Sequence, residues 1–429
     1  MRQTNTILEL ADKAPHALNG GPFGSKLVSS MYVHKGVPVI RGINLPFDRR
    51  FNANDFVFVS QQKADELSAH IARPGDLVFT QRGTLGQIGL IPENGPYDRY
   101  VVSQSQMKLT VDPSMADSTF IYYYFRQPRI IAQIEALASS SGVPHINLQM
   151  LREFEVSLPS CDEQRRIADF LARFDDLIEN NTRRIAILED MARRIFEEWF
   201  VHFRAPGCEG LPLVESAIGP IPRGWTMATI KDVCDKVDYG YTAKATQENI
   251  GPKFLRITDI VPAAIDWSRV PYCSIPAKKA EQYSLSPGDI VIARTGATTG
   301  YAKHLGKRHP SAVFASYLVR LRITNISSNY YLGQVIESDK YKAFIARNVG
   351  GAAQPNANAQ VLTSMPIILP PKRLLEQFDH IMEGFADLRE ILECANANLR
   401  AQRDLLLPKL IAGEIDVSAA ATALKEAAE

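Results

Sequence analysis

Three short motifs in this 429-residue chain have the residue types of a reactive site. In GGPFGSK, Gly20–Lys26, glycines precede a cation, as in a loop that cradles phosphate. That chemistry requires Gly-Lys-Ser/Thr; here Ser25 precedes Lys26, which misplaces the hydroxyl that would hold magnesium. NLPF, Asn44–Phe47, is similar to the Asn-Pro-Pro-Phe/Tyr element of amino-methyltransferases, but Leu45 replaces a proline and no FxGxG loop lies upstream. The PGD turns ending at Asp76 and Asp289 lack the Glu-x-Lys of a metal-dependent nuclease, so both carboxylates are expected to stabilise a turn before a strand. The histidines form no HxxxH or HExxH pair and nothing marks a nucleophile elbow. Cys161, Cys208, Cys234, Cys273 and Cys394 are scattered without a CxxC pair, which argues against zinc and disulfides. No catalytic apparatus is expected.

The elements around these motifs repeat. RPGDLVFTQRGTLGQIGLI at 73–91 parallels SPGDIVIARTGATTGYAKHL at 286–305. In the same order, TILELADK parallels TIKDVCDK, VIRGINL parallels FLRITDI, MKL parallels VRL, and INLQML parallels ANAQVL. This alignment sets Arg41 opposite Arg256 and Asn44 opposite Asp259. After each copy a strand-like run ends in Leu-Pro, and a long helical pattern begins. Each half is therefore a mixed α/β globule followed by a helix.

In the central helix, Ile167, Phe170, Phe174, Leu177, Asn181, Ile185, Leu188, Ala192, Ile195 and Trp199 follow three-four spacing, with one stutter at Asn181. In the C-terminal helix, Phe378, Ile381, Phe385, Leu388, Leu392, Ala395, Leu399, Gln402 and Leu406 do the same, until Pro408 interrupts the seam. At 1.5 Å per residue each spans roughly 45–60 Å and cannot bury its stripe alone. Either the two pair antiparallel, with Asn181 facing Asn396 or Asn398 to fix register, or each folds back on its own globule. The antiparallel pair is the economical solution.

The length predicts two or three domains. A formal net charge of +1 neither demands nor excludes nucleic acid, since a basic face can be balanced elsewhere. The N-terminal residues lack the apolar core of a signal peptide, and no apolar run approaches a membrane span; a cytoplasmic protein is expected.

The order of a globule, LPSCDEQRRIADFLARFDDLIENNTRRI with its RRIFEEWF ending, a GPIPRGW re-entry, a second globule, and EQF with RDLLLPKLIAGEI resembles the DNA-specificity subunit of type I restriction-modification systems. The resemblance covers about residues 6–417 and departs from it in one respect, the absence of a Pro-x-Gly-Trp opening in the first half. It implies an α+β fold with two similar mixed α/β target-recognition domains in a pseudo-two-fold arrangement, separated by two long helices forming an antiparallel coiled coil. The expected divisions are recognition domains at 1–158 and 205–370, helical spacers at 159–204 and 371–413, and an Ala-rich tail at 414–429, which is either a docking helix or disordered. The resemblance also implies a non-catalytic subunit that binds a split site in double-stranded DNA and recruits two methylation subunits, then restriction subunits. No cofactor is expected in this chain; S-adenosylmethionine, ATP and Mg²⁺ would belong to those partners.

Base edges are read best by Arg, Lys, Asn and Gln, and phosphates by cations, hydroxyls and backbone N–H groups. The polar loops offer Lys26, Arg41, Asn44, Gln81, Arg82, His145 and Asn147 in the first half. The second half offers Lys244, Arg256, Arg294, Thr295, Thr298, Gln354 and Asn356. For each, the alternative is a solvated charge or an amide satisfying nearby backbone. His145 has no evident counterpart in the repeat. The YYYF run at 122–125 is expected in the core rather than stacked on bases. Trp199 and Phe200 are either a core plug or a partner contact. Two rival readings remain at this point: a coiled-coil scaffold joining two protein-binding domains, and a single-chain methyltransferase or nuclease.

Overall fold

A computed structural model describes residues 2–138, 144–262, 264–324, 327–349 and 356–417. The chain divides into two compact units whose boundaries fall inside both long helices: one holds the described residues up to Asn181 and from Ala395 onward, the other Thr182–Cys394.

The first unit is built on an antiparallel sheet in the order Leu18–Gly20, Gln106–Leu109, Leu77–Thr80, Ile88–Leu90. The strands Leu77–Thr80 and Gln106–Leu109 are buried along their whole length, because helices cover one face and a second sheet the other. In that second sheet, Val37–Ile40 runs parallel to Tyr100–Val102. Gln3–Thr6 pairs with Glu155–Leu158. The PGD turn works as its sequence requires: Gly75 takes a φ of 84°, and the Asp76 carboxylate accepts from Arg73 N at 2.8 Å. Asp117 caps the helix Ser118–Arg126, and Pro128 opens the next, Pro128–Leu137. Phe120 to Phe125 are all buried, so the aromatic run is core.

The second unit repeats this plan. Its four-stranded sheet has the order Cys234–Tyr239, Leu318–Ile323, Ile290–Ala293, Ala302–His304. Lys253–Leu255 runs parallel to Ala312–Phe314, and Thr226–Thr229 pairs with Pro366–Leu369. Gly288 has a φ of 86°, and Asp289 accepts from Ser286 N at 2.9 Å. Helices Asn329–Glu337 and Asp339–Asn348 are capped by Ser328 and Ser338. The internal repeat is thus a repeat of topology.

The central helix, Cys161–Phe196, and the C-terminal helix, Lys372–Ala412, pair antiparallel within each unit. In the first unit Asn181 Nδ2 donates to Asn396 Oδ1 at 3.0 Å, and Arg403 bonds the Asp175 carboxylate. In the second, Glu189 meets Arg389 at 4.0 Å, and Trp199 and Phe196 meet Phe378 with centroids 5.9 and 6.4 Å apart. Both packing options are realised together, because the same helices also enter the globular cores: Ile167, Phe170 and Leu171 with Leu410 and Ile411 in one unit, Leu375 and Phe378 in the other. The seam departs from the sequence pattern at two places. Leu177 and Gln402 are exposed, and Asp175 and Arg403 are buried instead. Pro408 does not interrupt the C-terminal helix, which continues to Ala412.

Candidate nucleic-acid interface

In each unit three polar segments meet at one end of the four-stranded sheet. In the first, Gly21 N donates to Gln106 O at 2.9 Å, so the Gly20–Lys26 loop lies on the turn 103–105 that joins the two sheets. A side chain at Gly21 would sit 1.9 Å from Ser103 O, which explains the glycine. Gln81 N donates to Ser105 O at 2.7 Å, and Ile146 N donates to Gln81 O at 3.0 Å. Arg82 and His145 therefore face each other across a β-bridge.

The second unit builds the same crossing. Gly240 N donates to Leu318 O at 3.2 Å, and a side chain there would sit 2.2 Å from Ala315 O. Arg294 N donates to Tyr317 O at 3.0 Å, Ala357 N donates to Arg294 O at 2.8 Å, and Thr295 bridges Asn356. These matching bonds align Gly20 with Tyr239, Gln81 with Arg294, Arg82 with Thr295, Ser105 with Tyr317 and His145 with Asn356. His145 thus has a counterpart of different type, Asn356, each directly preceding the aligned INLQML and ANAQVL runs.

The backbone frame is shared and the side chains are not. Lys26, Arg82 and Asn147 in the first unit, and Lys244 and Asn356 in the second, are exposed. His145, Arg294, Thr295 and Thr298 are half-buried on the same rims, and Gln81 is only 9% exposed. Arg41 and Arg256 flank the rims at equivalent places, since Ser103 N donates to Ile40 O and Ala315 N to Leu255 O. Their side chains are already engaged: Arg41 Nη2 donates to Asp55 O at 2.9 Å, and Arg256 holds Asp259 with two bonds of 3.0 and 2.9 Å. Those bonds to Asp259 hold the Arg256 guanidinium above its ordinary pKa.

Burial corrects two expectations, Asn44 and Phe200. Asn44 is fully buried; it accepts from Arg41 N and donates to Asn52 O and Asn54 O, so its amide closes a loop and presents nothing outward. Asn147 accepts from Met150 N as the cap of helix Leu148–Arg152, and Asn358 does the same for Ala359–Thr363. Phe200 is 4% exposed among Tyr331, Phe378 and Trp225, which makes it a core ring rather than a docking one. Trp199 is half-buried against Phe378. Gln354 lies outside the described residues.

Three rings that no motif marks are exposed here: Phe23, 69% exposed on the first glycine loop, and Tyr317 and Tyr239, 61% and 41% exposed on the second rim. Their one sequence signal is position, Phe23 and Tyr239 within or beside a glycine-bearing turn and Tyr317 just before the VRL strand. Among the described residues, no group of three or more His, Cys, Asp or Glu is placed to hold a metal ion, and no helix is long and apolar enough to cross a membrane.

A profile of the family described as "Type I restriction modification DNA specificity domain" matches residues 46–190 and 222–396, more than half of the chain. The chain is 23% identical over 363 residues to the type I restriction enzyme MjaIX specificity subunit of Methanocaldococcus jannaschii, covering 84% of this chain and 82% of that one. It is 21% identical over 409 residues to the HindI specificity subunit of Haemophilus influenzae, covering 80% and 87%. A crystal structure of the S subunit of a type I restriction-modification system from M. genitalium shares the fold, with a TM-score of 0.57, 16% identity and 96% of each chain covered. With the doubled topology, the paired helices and the matched segments in both units, the chain belongs to the type I restriction-modification DNA-specificity family, as a specificity subunit.

Proposed function

We propose that each unit reads one half of a split, asymmetric site in double-stranded DNA through its polar rim, and that the chain works only within a complex with two methylation subunits. The observation that carries this is the pair of rims: one backbone crossing in both units, bearing Gln81, Arg82 and His145 in one and Arg294, Thr295 and Asn356 in the other. A shared scaffold with different donors and acceptors suits two halves of unlike sequence. The chain itself is the non-catalytic member of the assembly; S-adenosylmethionine, ATP and Mg²⁺ belong to methylation and restriction partners. The helix pair sets the number of base pairs between the halves.

Specific complexes need many phosphate contacts, which a chain of formal net charge +1 gathers together with its partners. The experiment is to combine the chain with cognate methylation subunits and map the methylated positions. One bipartite motif that depends on this chain is expected; modification at random, or without the chain, defeats the proposal. Inserting one helical turn into both helices should lengthen the gap and leave the half-site bases alone. Altered bases would remove the spacer role.

A further inference from the structure

We infer that Arg294 recognises a guanine in the half-site read by the second unit, and that Tyr239 and Asn356 are the positioning residues that aim it. This rests on the DNA-reading role proposed above and deepens it. Three contacts fix the arginine before any ligand arrives. Its backbone is held at both ends of the residue, N to Tyr317 O and O from Ala357 N. Its guanidinium carbon lies 4.7 Å from the centroid of the Tyr239 ring. Its Nη2 donates to Asn356 Oδ1 at 3.2 Å. The platform is itself anchored, because the Tyr239 hydroxyl accepts from Ala359 N at 2.9 Å.

An arginine in solution loses side-chain entropy when it is pinned against a base, and one already stacked loses less. Of its five N–H donors, one meets Asn356, and Nε is buried with no hydrogen-bond partner. Among the described residues no partner takes the Nη1 protons. The terminal amino groups thus keep donors at the guanidinium tip, the arrangement that matches guanine O6 and N7 in the major groove. A phosphate accepts the same fork but carries no sequence information, so base discrimination distinguishes the two.

The first unit shows what happens without this device. Gly20 stands where Tyr239 stands, so no ring supports the neighbouring side chain; Gln81 replaces the arginine, and its Oε1 is buried and unpartnered. His145 stands for Asn356. All three members differ together, as expected if they act as one reading group.

The test uses the full chain in its methylation complex, with methylated positions mapped for wild type, Arg294→Ala, Arg294→Lys and Tyr239→Leu. Arg294→Ala should relax one guanine position in the second half-site, on the order of ten- to a hundredfold in relative modification. The first half-site and the gap should stay fixed. Arg294→Lys should relax the same position while keeping the charge. Tyr239→Leu should lower modification of cognate sites and leave the guanine preferred. A uniform loss across sequences in Arg294→Ala, restored by Lys and accompanied by a salt dependence lower by about one ion, would make Arg294 a phosphate contact and overturn the inference. An unchanged motif, or loss of the whole second half-site, would also overturn it. A wild-type chain that directs no bipartite motif defeats the broader proposal before any variant is made.

Discussion

In the first unit the apolar junction between the helix pair and its globule carries buried charges at its centre. Asp175, 2% exposed, accepts from the Tyr123 hydroxyl at 2.6 Å and from Arg403, and Arg50 reaches Asp176 and Glu179 at 2.5 and 3.0 Å. In the second the equivalent junction is made of rings: Phe196, Trp199, Phe200, Tyr331 and Phe378 lie within 4.8–6.4 Å of one another in successive pairs. Strand order and turns are shared and both junctions have an apolar core, yet its centre differs: a buried Asp175–Arg403 pair in one unit, a ring cluster in the other, whose ion pairs, such as Lys307 with Glu383, lie at the surface. A duplicated topology constrains the path of the backbone and leaves the filling of an interface free, provided volume and hydrogen bonds are satisfied.

Single truncations at these junctions should break the comparison most visibly. Arg403→Ala leaves Asp175 buried without its cation and is expected to cost the first unit about 3–5 kcal/mol. Phe378→Ala opens a cavity and is expected to cost the second a similar ~3–5 kcal/mol. Unit-resolved hydrogen exchange separates the two losses. The remedy differs: Asp175→Leu with Arg403→Leu and Tyr123→Phe should restore the first unit, since a buried ion pair is replaceable by apolar volume. If the triple variant is as unstable as Arg403→Ala, the ionic junction is not an interchangeable solution.

A smaller effect concerns pH. His304 occupies the strand position held by Leu90 in the first unit, as the pairings Ile290 with His304 and Leu77 with Leu90 show. Burial, aided by Arg389, pushes its imidazole down to about 4, and its Nε2 is buried and unpartnered. The unfolded chain takes up this proton below about 6.5, the folded one only near 4. Stability from the neutral ring is therefore complete above pH 6.5 and falls as the pH drops toward 4. Relative to His304→Leu, wild type should lose roughly 2 kcal/mol between pH 7 and 4.5. Denaturant titrations at both pH values check this, and parallel losses in the two proteins would rule it out. Smallest of all, Asn147→Ala and Asn358→Ala should each cost about 1 kcal/mol through loss of a helix cap and leave the methylated motif unchanged. A changed motif would mean that Asn147, an exposed cap on the rim, also meets DNA.

The elements that the sequence discloses are those with a local physical signature. The PGD turns demand a positive φ and a carboxylate, and the alternating strands around them match in both halves, so the repeat is visible without coordinates. The seam from Phe378 to Leu392 follows the same logic. Beyond Ala395 the pattern misleads, because hydrophobic spacing chooses Gln402, whereas burial chooses Arg403, whose charge is matched by Asp175 across more than two hundred positions of sequence. The rims are legible as positions but not as residues. Asn44 and Arg82 look equally available in a polar loop, and only packing separates an amide closed on Asn52 and Asn54 from an exposed guanidinium. Tyr239 and Tyr317 carry no motif; the structure singles them out because the Arg294 guanidinium lies 4.7 Å from the Tyr239 ring and the Tyr317 carbonyl accepts from Arg294 N.

The division of the chain at Asn181 and Ala395 has a consequence for synthesis. The second unit is a single insertion, and its last packing residues follow its first without interruption. The first is written in two instalments: Ile7 and Leu10 share a core with Leu407, Leu410 and Ile411, and Arg2 donates to Ile411 O. As the chain leaves the ribosome, the later unit can close while the earlier one still waits for its final helix turns, so order of birth and order of completion are reversed.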